Sequence, residues 1–384
     1  MNNQAGLRTQ RMLLKVLSPT YIGGNSENNL KKYQYIYNPG KNQVITIDEH
    51  KMMIFLHQRK LMDSYEKFVE FNSSKRNPEA LNNWFKKEKL TGADVKSVAG
   101  AVLDTKNLNT EKMNDINRFI KDIYQNPYIP GSSLKGAIRT ALVSHFILNH
   151  AELFKAQRSQ INKLLTSGEK ANYKKRELKK ISDRMESDLF TIDKKNNIKS
   201  LAGLSVSDSE AFAKKELCLV KKEDYTFGND SPHYLPIYRE CLKPGSQTKV
   251  SLTFDRFKSD QKFGLEEPVD ILEVLDTFKQ LLIGERGILR VFEDLDTYLP
   301  QCDDTAGLLF LGGGAGYQAK TFIAALFPDE EERLYLMQEL MEVLFPRKRH
   351  LGDKGISPRT LKLADYGQQT FMMGLCELTE EIEC

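Results

Sequence analysis

The stretch YIPGSSLKGAIRTAL, from Tyr128 to Leu142, is the part of the sequence that decides the fold. The proline-glycine pair at Pro130 is a turn signal. Ser132 or Ser133 can then cap a helix, because a serine hydroxyl accepts a hydrogen bond from an unpaired first-turn amide. The pattern therefore predicts a helix that begins near Leu134.

One face of this predicted helix is apolar and a neighbouring face is basic. Leu134, Ile138 and Leu142 recur at helical spacing, which predicts their burial. Lys135 and Arg139 lie four residues apart beside the amino end. A first-turn lysine is at the unfavourable end of the helix dipole, which costs up to ~1 kcal/mol unless an anion binds there. Free amides with two cations would suit a phosphate, although an ordinary capped helix with solvated cations fits the same spacing.

The composition indicates a globular protein with a sizeable core. The chain has 384 residues, of which 40% are hydrophobic, and this length predicts two or three domains. It has no apolar run of roughly 18 residues and no secretory signal at its polar start, so we expect a cytoplasmic protein without membrane contact. The cysteines are scattered and odd in number, which indicates buried or free thiols rather than disulfides or zinc ligands: Cys218, Cys241, Cys302, Cys376 and Cys384.

Positive charge is concentrated in one segment. The whole chain has a net charge of +4, with 56 basic and 52 acidic residues. Between Lys155 and Lys199 there are 13 basic and 6 acidic residues, a net of +7, which leaves the remainder at −3. Such a segment is typical of an RNA-contacting surface, and a solvated helical hairpin with excess lysine explains it equally well.

Four stretches together resemble one family. PGSSLKGAIRTAL resembles the first-helix signature of the RAMP superfamily, the RNA-binding proteins of CRISPR systems. Three further stretches are similar to the same family: LKVLSPTYIGG (14–24), LLFLGGGAGYQAKT (308–321) and LKLADYGQQTFMMGLCEL (361–378). Their order and the chain length most resemble the capping subunits of type III-A, or Csm, interference complexes.

This resemblance implies an α+β fold of two ferredoxin-like (RRM-like) RAMP domains with helical insertions. We expect an N-terminal RAMP domain over residues 1–195, with a helical insertion and the basic helical segment. A C-terminal RAMP-like domain with a glycine-rich loop would cover 196–384, because the polar stretch Asp193 to Ser200 is the best candidate boundary.

The resemblance also implies a function and partners. Capping subunits hold the 3′ part of the guide RNA, end the backbone filament and support maturation of the guide by recruited nucleases. The implied partners are the guide (CRISPR) RNA, related RAMP backbone subunits, small helical subunits, host nucleases and, indirectly, target RNA. We expect no cofactor.

Two glycine-rich loops are further candidates for phosphate contact. The first runs from Ser18 to Gly24, after a predicted first strand, and the second from Gly312 to Gly316. The second loop lies between a predicted strand at Leu308 to Leu311 and a predicted helix from Tyr317 to Phe327. A P-loop needs glycine directly before the lysine, but Ala319 precedes Lys320, and a dinucleotide fingerprint needs glycine at position 317. The residues alone leave a structural turn and a phosphate contact open. With the resemblance, the implied RNA-binding residues are Ser18, Thr20, Gly23, Gly24, Ser132, Ser133, Lys135, Arg139, Gly312, Gly313, Gly314, Gly316, Tyr317 and Lys320.

The sequence favours a protein without a catalytic or metal site. His145 is on the apolar side of the predicted helix, where a hydrogen-bonded core histidine is the favoured interpretation. Asp365 stands beside a family motif without a second ligand or base. The alternative is an endoribonuclease that itself processes guide RNA, since some RAMP relatives cleave RNA. A nucleotide-binding enzyme that uses the second glycine loop is a weaker alternative.

Local patterns predict the remaining elements. Trp84 is predicted to be a packing anchor rather than a base-stacking platform. The other predictions are a hairpin from Tyr33 to Ile47, helices from His50 to Asn126, a half-buried strand from Lys249 to Asp255, an amphipathic helical region from Ile271 to Phe292, a mobile basic loop from Phe345 to Arg359 and a closing strand from Thr370 to Leu378.

Overall fold

Two five-stranded sheets organise the chain, and two smaller sheets accompany them. The computed structural model describes residues 6–24, 29–75, 77–105, 108, 113–193, 198–199, 203–228, 233–255, 263, 265, 267–301 and 305–381. The strands are β1 (Leu7–Val16), β2 (Tyr35–Asn38), β3 (Gln43–Ile47), β4 (Ala99–Asp104), β5 (Ile116–Asn117), β6 (Thr191–Asp193), β7 (Ile198–Lys199), β8 (Leu204–Val206), β9 (Leu217–Thr226), β10 (His233–Leu242), β11 (Gln247–Asp255), β12 (Leu308–Phe310), β13 (Thr360–Tyr366), β14 (Gln369–Met372) and β15 (Leu375–Glu380).

The helices lie in three groups along the chain. They are α1 (Glu49–Arg59), α2 (Met62–Ser73), α3 (Leu81–Lys87), α4 (Gly92–Val98), α5 (Gly131–Asn149), α6 (Lys155–Thr166), α7 (Ala171–Phe190), α8 (Ile271–Ile283), α9 (Leu295–Tyr298), α10 (Ile323–Leu326) and α11 (Glu330–Leu344). Among the described residues, no helix combines the length and apolar character needed to cross a membrane.

The first sheet has the strand order β12-β15-β1-β11-β8 and places β1 at its centre. Met12 lies opposite Val250 on β11, and Leu14 lies opposite Leu378 on β15. Side chains alternate along β11, where Val250, Leu252 and Phe254 are at most 3% exposed. This confirms the predicted half-buried strand, because a period of two places such residues on one face.

Helices α5 and α8 cover the buried face of the first sheet. Leu134 and Ile138 of α5 and Phe278 of α8 belong to the same hydrophobic core as Met12 and Leu14. The apolar face predicted for the signature helix is therefore confirmed. The helical region predicted from Ile271 to Phe292 is broken after α8, since this helix ends at Ile283 before Gly284.

The second sheet has the order β14-β13-β9-β10-β5, and β5 pairs with β10 in parallel. Strands from both sides of the predicted boundary at 195/196 share a sheet, because β1 pairs with β11 and β15, and β5 pairs with β10. The boundary itself falls at 194–197, outside the described residues. The two-domain division therefore stays a prediction.

The first helical group, α1 to α4, packs against the small sheet of β2, β3 and β4. The predicted hairpin is confirmed, with Asn42 in the left-handed region at φ 49° closing its turn. Trp84 is 3% exposed and donates a hydrogen bond from Nε1 to Ser64 Oγ, which confirms the packing role. The prediction of helices throughout residues 50–126 is wrong at β4, because Ala99–Asp104 pairs with β3 and extends its sheet.

Two predicted elements are interrupted in the structure. The helix predicted from Tyr317 to Phe327 is a 3-10 turn at Gln318–Lys320 followed by α10, because Thr321 between them has an extended backbone. The closing strand predicted from Thr370 to Leu378 is the two strands β14 and β15. Gly374 separates them at φ +88°, a conformation that favours glycine.

The segment predicted as a mobile basic loop is held together by a buried carboxylate. Asp353 has a side chain that is 0% exposed. Its oxygens accept hydrogen bonds from Ser357 Oγ at 2.7 Å and Arg359 Nη1 at 2.6 Å, and His350 Nδ1 lies 2.8 Å away. The sequence prediction rested on the many basic side chains of this segment. It missed this network, because the network is organised by the one acidic residue among them.

The basic segment forms the helical hairpin of α6 and α7, with Ser167 as the C-cap residue of α6. Glu177 forms salt bridges to Arg176 and Lys180, while Lys175 and Lys179 are exposed. Of the cysteines, Cys218, Cys241 and Cys376 are buried free thiols, as predicted, and Cys302 and Cys384 lie outside the described residues.

Candidate nucleic-acid interface

The two glycine-rich loops predicted from the sequence pack directly against each other. The Gly313 amide donates a hydrogen bond of 2.8 Å to the carbonyl oxygen of Tyr21. Gly312 has φ +75°, and a Cβ there would lie 1.9 Å from the same oxygen. A Cβ at Gly314 would lie 2.5 Å from Met373 Cβ. The glycines are therefore required by close packing between loops, which a side chain would prevent.

An arginine lies beside this junction. The Arg239 guanidinium carbon is 4.8 Å from the centroid of the Tyr21 ring, and Nη1 is 3.8 Å from where a Cβ of Gly313 would stand. Its Nε and Nη1 atoms are buried and have no hydrogen-bond partner within the described part of the chain. Burial lowers the pKa of Arg239. Unpaired buried donors are costly, so an anion at this position would be stabilising.

Further cations surround Arg239. Desolvation and the nearby charge of Arg239 lower the pKa of Lys320. On the second sheet, Lys222 Nζ and Lys362 Nζ both bind Asp224 Oδ1, at 2.6 and 2.8 Å. Arg239 also interacts electrostatically with Asp224. The two lysines thus share one carboxylate, and together with Arg239 and Lys320 the positive charges outnumber it. We use the name Arg239 cluster for Tyr21, Lys222, Asp224, Arg239, Gly313, Lys320 and Lys362.

Two predicted residues of the first loop have internal roles. Ser18 and Thr20 are 0% exposed. The Ser18 hydroxyl oxygen accepts a hydrogen bond of 2.9 Å from the Leu375 amide, and the Thr20 hydroxyl donates one of 2.9 Å to the Ser18 carbonyl. The first bond attaches the loop to β15, and the second lies within the loop. Gly23 and Gly24 lie farther along the same loop and are exposed.

The helix signature is capped differently from the sequence prediction. Helix α5 begins at Gly131, and neither Ser132 nor Ser133 caps it, because Pro130 is the N-cap residue and makes no side-chain cap bond. The Gly131 amide instead donates a hydrogen bond of 2.7 Å to Asp208 Oδ1. The anion at this helix end is therefore a carboxylate of the chain itself.

Both cations of the signature helix bind groups within the chain. Lys135 Nζ donates a hydrogen bond of 2.5 Å to the Leu204 carbonyl on β8. Arg139 forms a salt bridge with Glu186 of α7 and lies over the ring of Phe190, 5.6 Å from its centroid. Sequence spacing could not show these partners, because all three come from later parts of the chain.

The structure separates the predicted site residues into two places. Strands β8 and β12 are opposite edges of the first sheet, four strand spacings or about 19 Å apart. Lys135 lies at the β8 edge, whereas the loop of Gly312 to Gly316 follows β12. Lys320 and the two glycine loops lie together. Tyr317 packs against a hydrophobic cluster formed by α5, α6, α7 and α11, and burial raises the pKa of its hydroxyl to about 12.

Sequence reasoning missed Arg239 and Tyr21. The available signal was the strand HYLPIYRECL, in which the charged pair Arg239 and Glu240 follows apolar and aromatic positions. A charged residue within a strand usually marks an exposed position. Only the fold places Tyr21 over it, because the two residues belong to distant parts of the sequence.

The candidate catalytic residues have structural partners. His145 Nδ1 lies 3.0 Å from Thr277 Oγ1 and Nε2 lies 2.9 Å from Asn149 Nδ2, which confirms the hydrogen-bonded histidine. Burial lowers its pKa. Asp365 accepts a hydrogen bond of 2.6 Å from Thr370. Within the described ranges, no group of three histidine, cysteine or acidic residues could hold a metal ion.

The family follows from a match that spans most of the chain. The family model described as RAMP superfamily matches residues 13–317. The chain belongs to the RAMP superfamily. The α+β RAMP fold and the family resemblance expected from the four sequence stretches are both confirmed.

Among curated proteins, this RAMP chain is similar to proteins named CRISPR system Cms protein Csm5. The protein of Mycobacterium tuberculosis (strain CDC 1551 / Oshkosh) is 26% identical over 400 aligned residues, covering 97% of this chain and 98% of the relative. That of Streptococcus thermophilus is 29% identical over 258 residues, or 64% of each chain.

Two solved structures share the fold of this RAMP chain. One is a chain of a cryo-EM structure titled Csm-crRNA-target RNA ternary complex in type III-A CRISPR-Cas system, with a TM-score of 0.60 and 21% identity, covering 97% of this chain and 100% of that chain. The other is a crystal structure of T.onnurineus Csm5, with a TM-score of 0.59 and 20% identity, covering 95% and 99%.

Proposed function

We propose that the chain is a non-catalytic RNA-binding subunit of a type III-A, or Csm, interference complex. It would hold the 3′ part of the guide RNA, cap the backbone filament and support guide maturation by recruited nucleases. The proposal is supported by the named relatives and by one structural observation, the positively charged Arg239 cluster with its unpaired buried donors.

The chemistry of this cluster suits a phosphate of an RNA backbone. A planar guanidinium presents parallel N–H donors to phosphate oxygens, and neighbouring lysines neutralise the remaining charge. Such contacts position an RNA strand without reading its sequence. Gly23, Gly24, Gly313, Gly316 and Lys320 remain in the proposed interface because they lie on the two loops beside Arg239.

The proposed partners follow from the same assembly. They are the guide RNA, related RAMP backbone subunits, small helical subunits, host nucleases and, indirectly, target RNA, and the proposed location is the cytoplasm. The proposal assigns internal roles to Ser18, Thr20, Lys135 and Arg139, whose side chains bind other parts of the chain.

Substituting Arg239 tests the RNA site. We expect Arg239→Gln to weaken binding of a labelled guide-length RNA about tenfold or more, by removing a charge-assisted hydrogen bond, and to do so equally for unrelated sequences. Fluorescence anisotropy across a salt series measures both the affinity and its salt dependence. Arg333→Gln is the matched control, since Arg333 on α11 is also half-buried and donates to the backbone carbonyls of Phe327 and Pro328. Unchanged affinity in a folded Arg239→Gln protein would contradict the proposal.

The endoribonuclease alternative has a separate test. Pure protein incubated with labelled guide precursor, with and without Mg²⁺ or Mn²⁺, should leave the RNA intact. Cleavage that disappears on substitution of one histidine or aspartate would support the alternative.

A further inference from the structure

A polar groove lies between the helical insertion and the second sheet. Its volume is about 580 Å³, and its walls are the carboxyl end of α2, the segment before β2 and the edge strand β5. The side chains that matter most for its chemistry are Lys31, Lys32, Lys75, Asn114, Asp115 and Asn117.

This groove lies next to Arg239. Asn117 on β5 lies directly opposite Arg239 in the parallel pairing with β10. Paired residues on neighbouring strands project from the same face of a sheet, and such strands are about 5 Å apart. Ile237, two residues before Arg239, also lines the groove. A phosphate bound at Arg239 would therefore lie about one strand spacing from the groove.

The groove carries more positive than negative charge. Lys31 Nζ forms a salt bridge of 2.8 Å with Asp115, and the Lys32 amide donates to the same carboxylate at 3.1 Å. Lys75 Nζ lies 3.3 Å from the centroid of the Phe71 ring. Three lysines face one acid among the described lining residues, which leaves an excess of two positive charges for an anionic occupant.

The wall beside Lys75 is held in place by a buried amide. Asn72 is 1% exposed, and its Nδ2 donates to the Phe68 carbonyl at 2.8 Å. Its Oδ1 accepts a hydrogen bond of 2.7 Å from the Glu79 amide. The end of α2 is thus fixed to the chain that follows it, so the groove is preformed rather than assembled from free side chains.

We propose that this groove binds the sugar-phosphate backbone of the same RNA strand, beyond the nucleotide held by the Arg239 cluster. The inference rests on the proposed function and adds a second contact site to it. Lys32 and Lys75 contact phosphates, and the asparagine amides of Asn114 and Asn117 bind ribose or phosphate oxygens. The helical insertion thereby takes part in RNA binding.

A pair of RNA lengths separates this groove from the Arg239 cluster. We expect Lys32→Ala/Lys75→Ala to bind a short oligonucleotide as the wild type does, and a guide-length RNA about tenfold more weakly. For the long RNA, the slope of log affinity against log salt concentration should become shallower by about 1.4, since each of the two lost phosphate contacts to a single strand contributes about 0.7. The matched control is Lys67→Ala/Lys87→Ala, which removes two exposed lysines of the same insertion that lie outside the groove.

Each result has one meaning. The proposed RNA contact in the groove would be overturned by any of three results: unchanged affinity for the long RNA, an equal loss of affinity for both lengths, or the same loss in the control variant. Arg239→Gln should weaken both lengths, so failure of the proposed function is recognised independently. Thermal unfolding of each variant confirms that it is folded before affinities are compared.

Discussion

At the scale of single residues, the most informative side chain is Arg239. Two of its buried nitrogen atoms have no partner within the described residues, and each unpaired buried donor costs about 1–3 kcal/mol. The stacked Tyr21 ring holds the guanidinium in place. A position that is costly in the free protein but rigid is well suited to binding a phosphate, because the ligand supplies the missing acceptors.

Glu223 makes stability depend on pH. Burial, and then the charge of Asp365, raises its pKa from 4.5 to about 7. The unfolded chain releases this proton near pH 4.5 and the folded chain near pH 7, so stability falls as pH rises through this window. We expect this effect to lower the free energy of unfolding of the wild type by up to about 3 kcal/mol between pH 5 and pH 8, and Glu223→Gln to abolish this decrease. Urea unfolding at the two pH values measures it.

The control for this prediction is Glu331→Gln, an exposed residue at the start of α11. The control should keep the wild-type pH dependence. If Glu223→Gln kept it as well, the buried carboxyl could not be its source.

At the level of secondary-structure elements, the signature helix α5 is capped by a residue from a later part of the chain. Its apolar face is buried as the spacing predicts, yet its first amide binds Asp208 rather than a serine. Ser132 and Ser133 are within the first turn, two and three residues after the N-cap position, so neither can act as the cap. The carboxylate also interacts favourably with the helix dipole.

Substitutions at the start of α5 test this capping. We expect Asp208→Ala to lower the free energy of unfolding by about 1 kcal/mol, because it removes the cap. Ser132→Ala and Ser133→Ala should each change it by less than about 0.5 kcal/mol. Urea unfolding monitored by circular dichroism measures all three. If a serine variant lowered the free energy of unfolding more than Asp208→Ala does, the serine would be the cap of the helix.

At the scale of the whole molecule, the sheets join the two parts of the chain. Strand β1 pairs with β11 on one side and with β15 on the other, and β5 pairs with β10. Each part alone would therefore expose unpaired strand edges and half of a hydrophobic core. We therefore expect the stability of the predicted N-terminal and C-terminal units to depend on their association.

Expressing the two parts separately tests the predicted division into domains. We expect residues 1–195 and 196–384 to show no cooperative thermal transition when produced alone, and to recover one when co-expressed. Circular dichroism during heating measures this. A cooperative transition in either part alone would instead establish an independent domain.

The sequence by itself predicted the features that depend on neighbouring residues. The alternation along β11, the apolar face of α5, the hairpin turn and the family signatures were all readable, because period and turn chemistry are local properties. The predictions of continuous helix failed where pairing with a distant strand or an extended residue overrode local preference, as at Ala99–Asp104 and Thr321.

The tertiary structure alone decided which charges are available to a ligand. Lys135 and Arg139 looked free in the sequence, but the fold supplies the Leu204 carbonyl and Glu186 as partners. Arg239 looked like an ordinary surface charge, but the fold buries two of its donors beside Tyr21 and Gly313. A charge is satisfied or left unpaired by whatever the chain brings within hydrogen-bonding distance, and sequence spacing does not determine that distance.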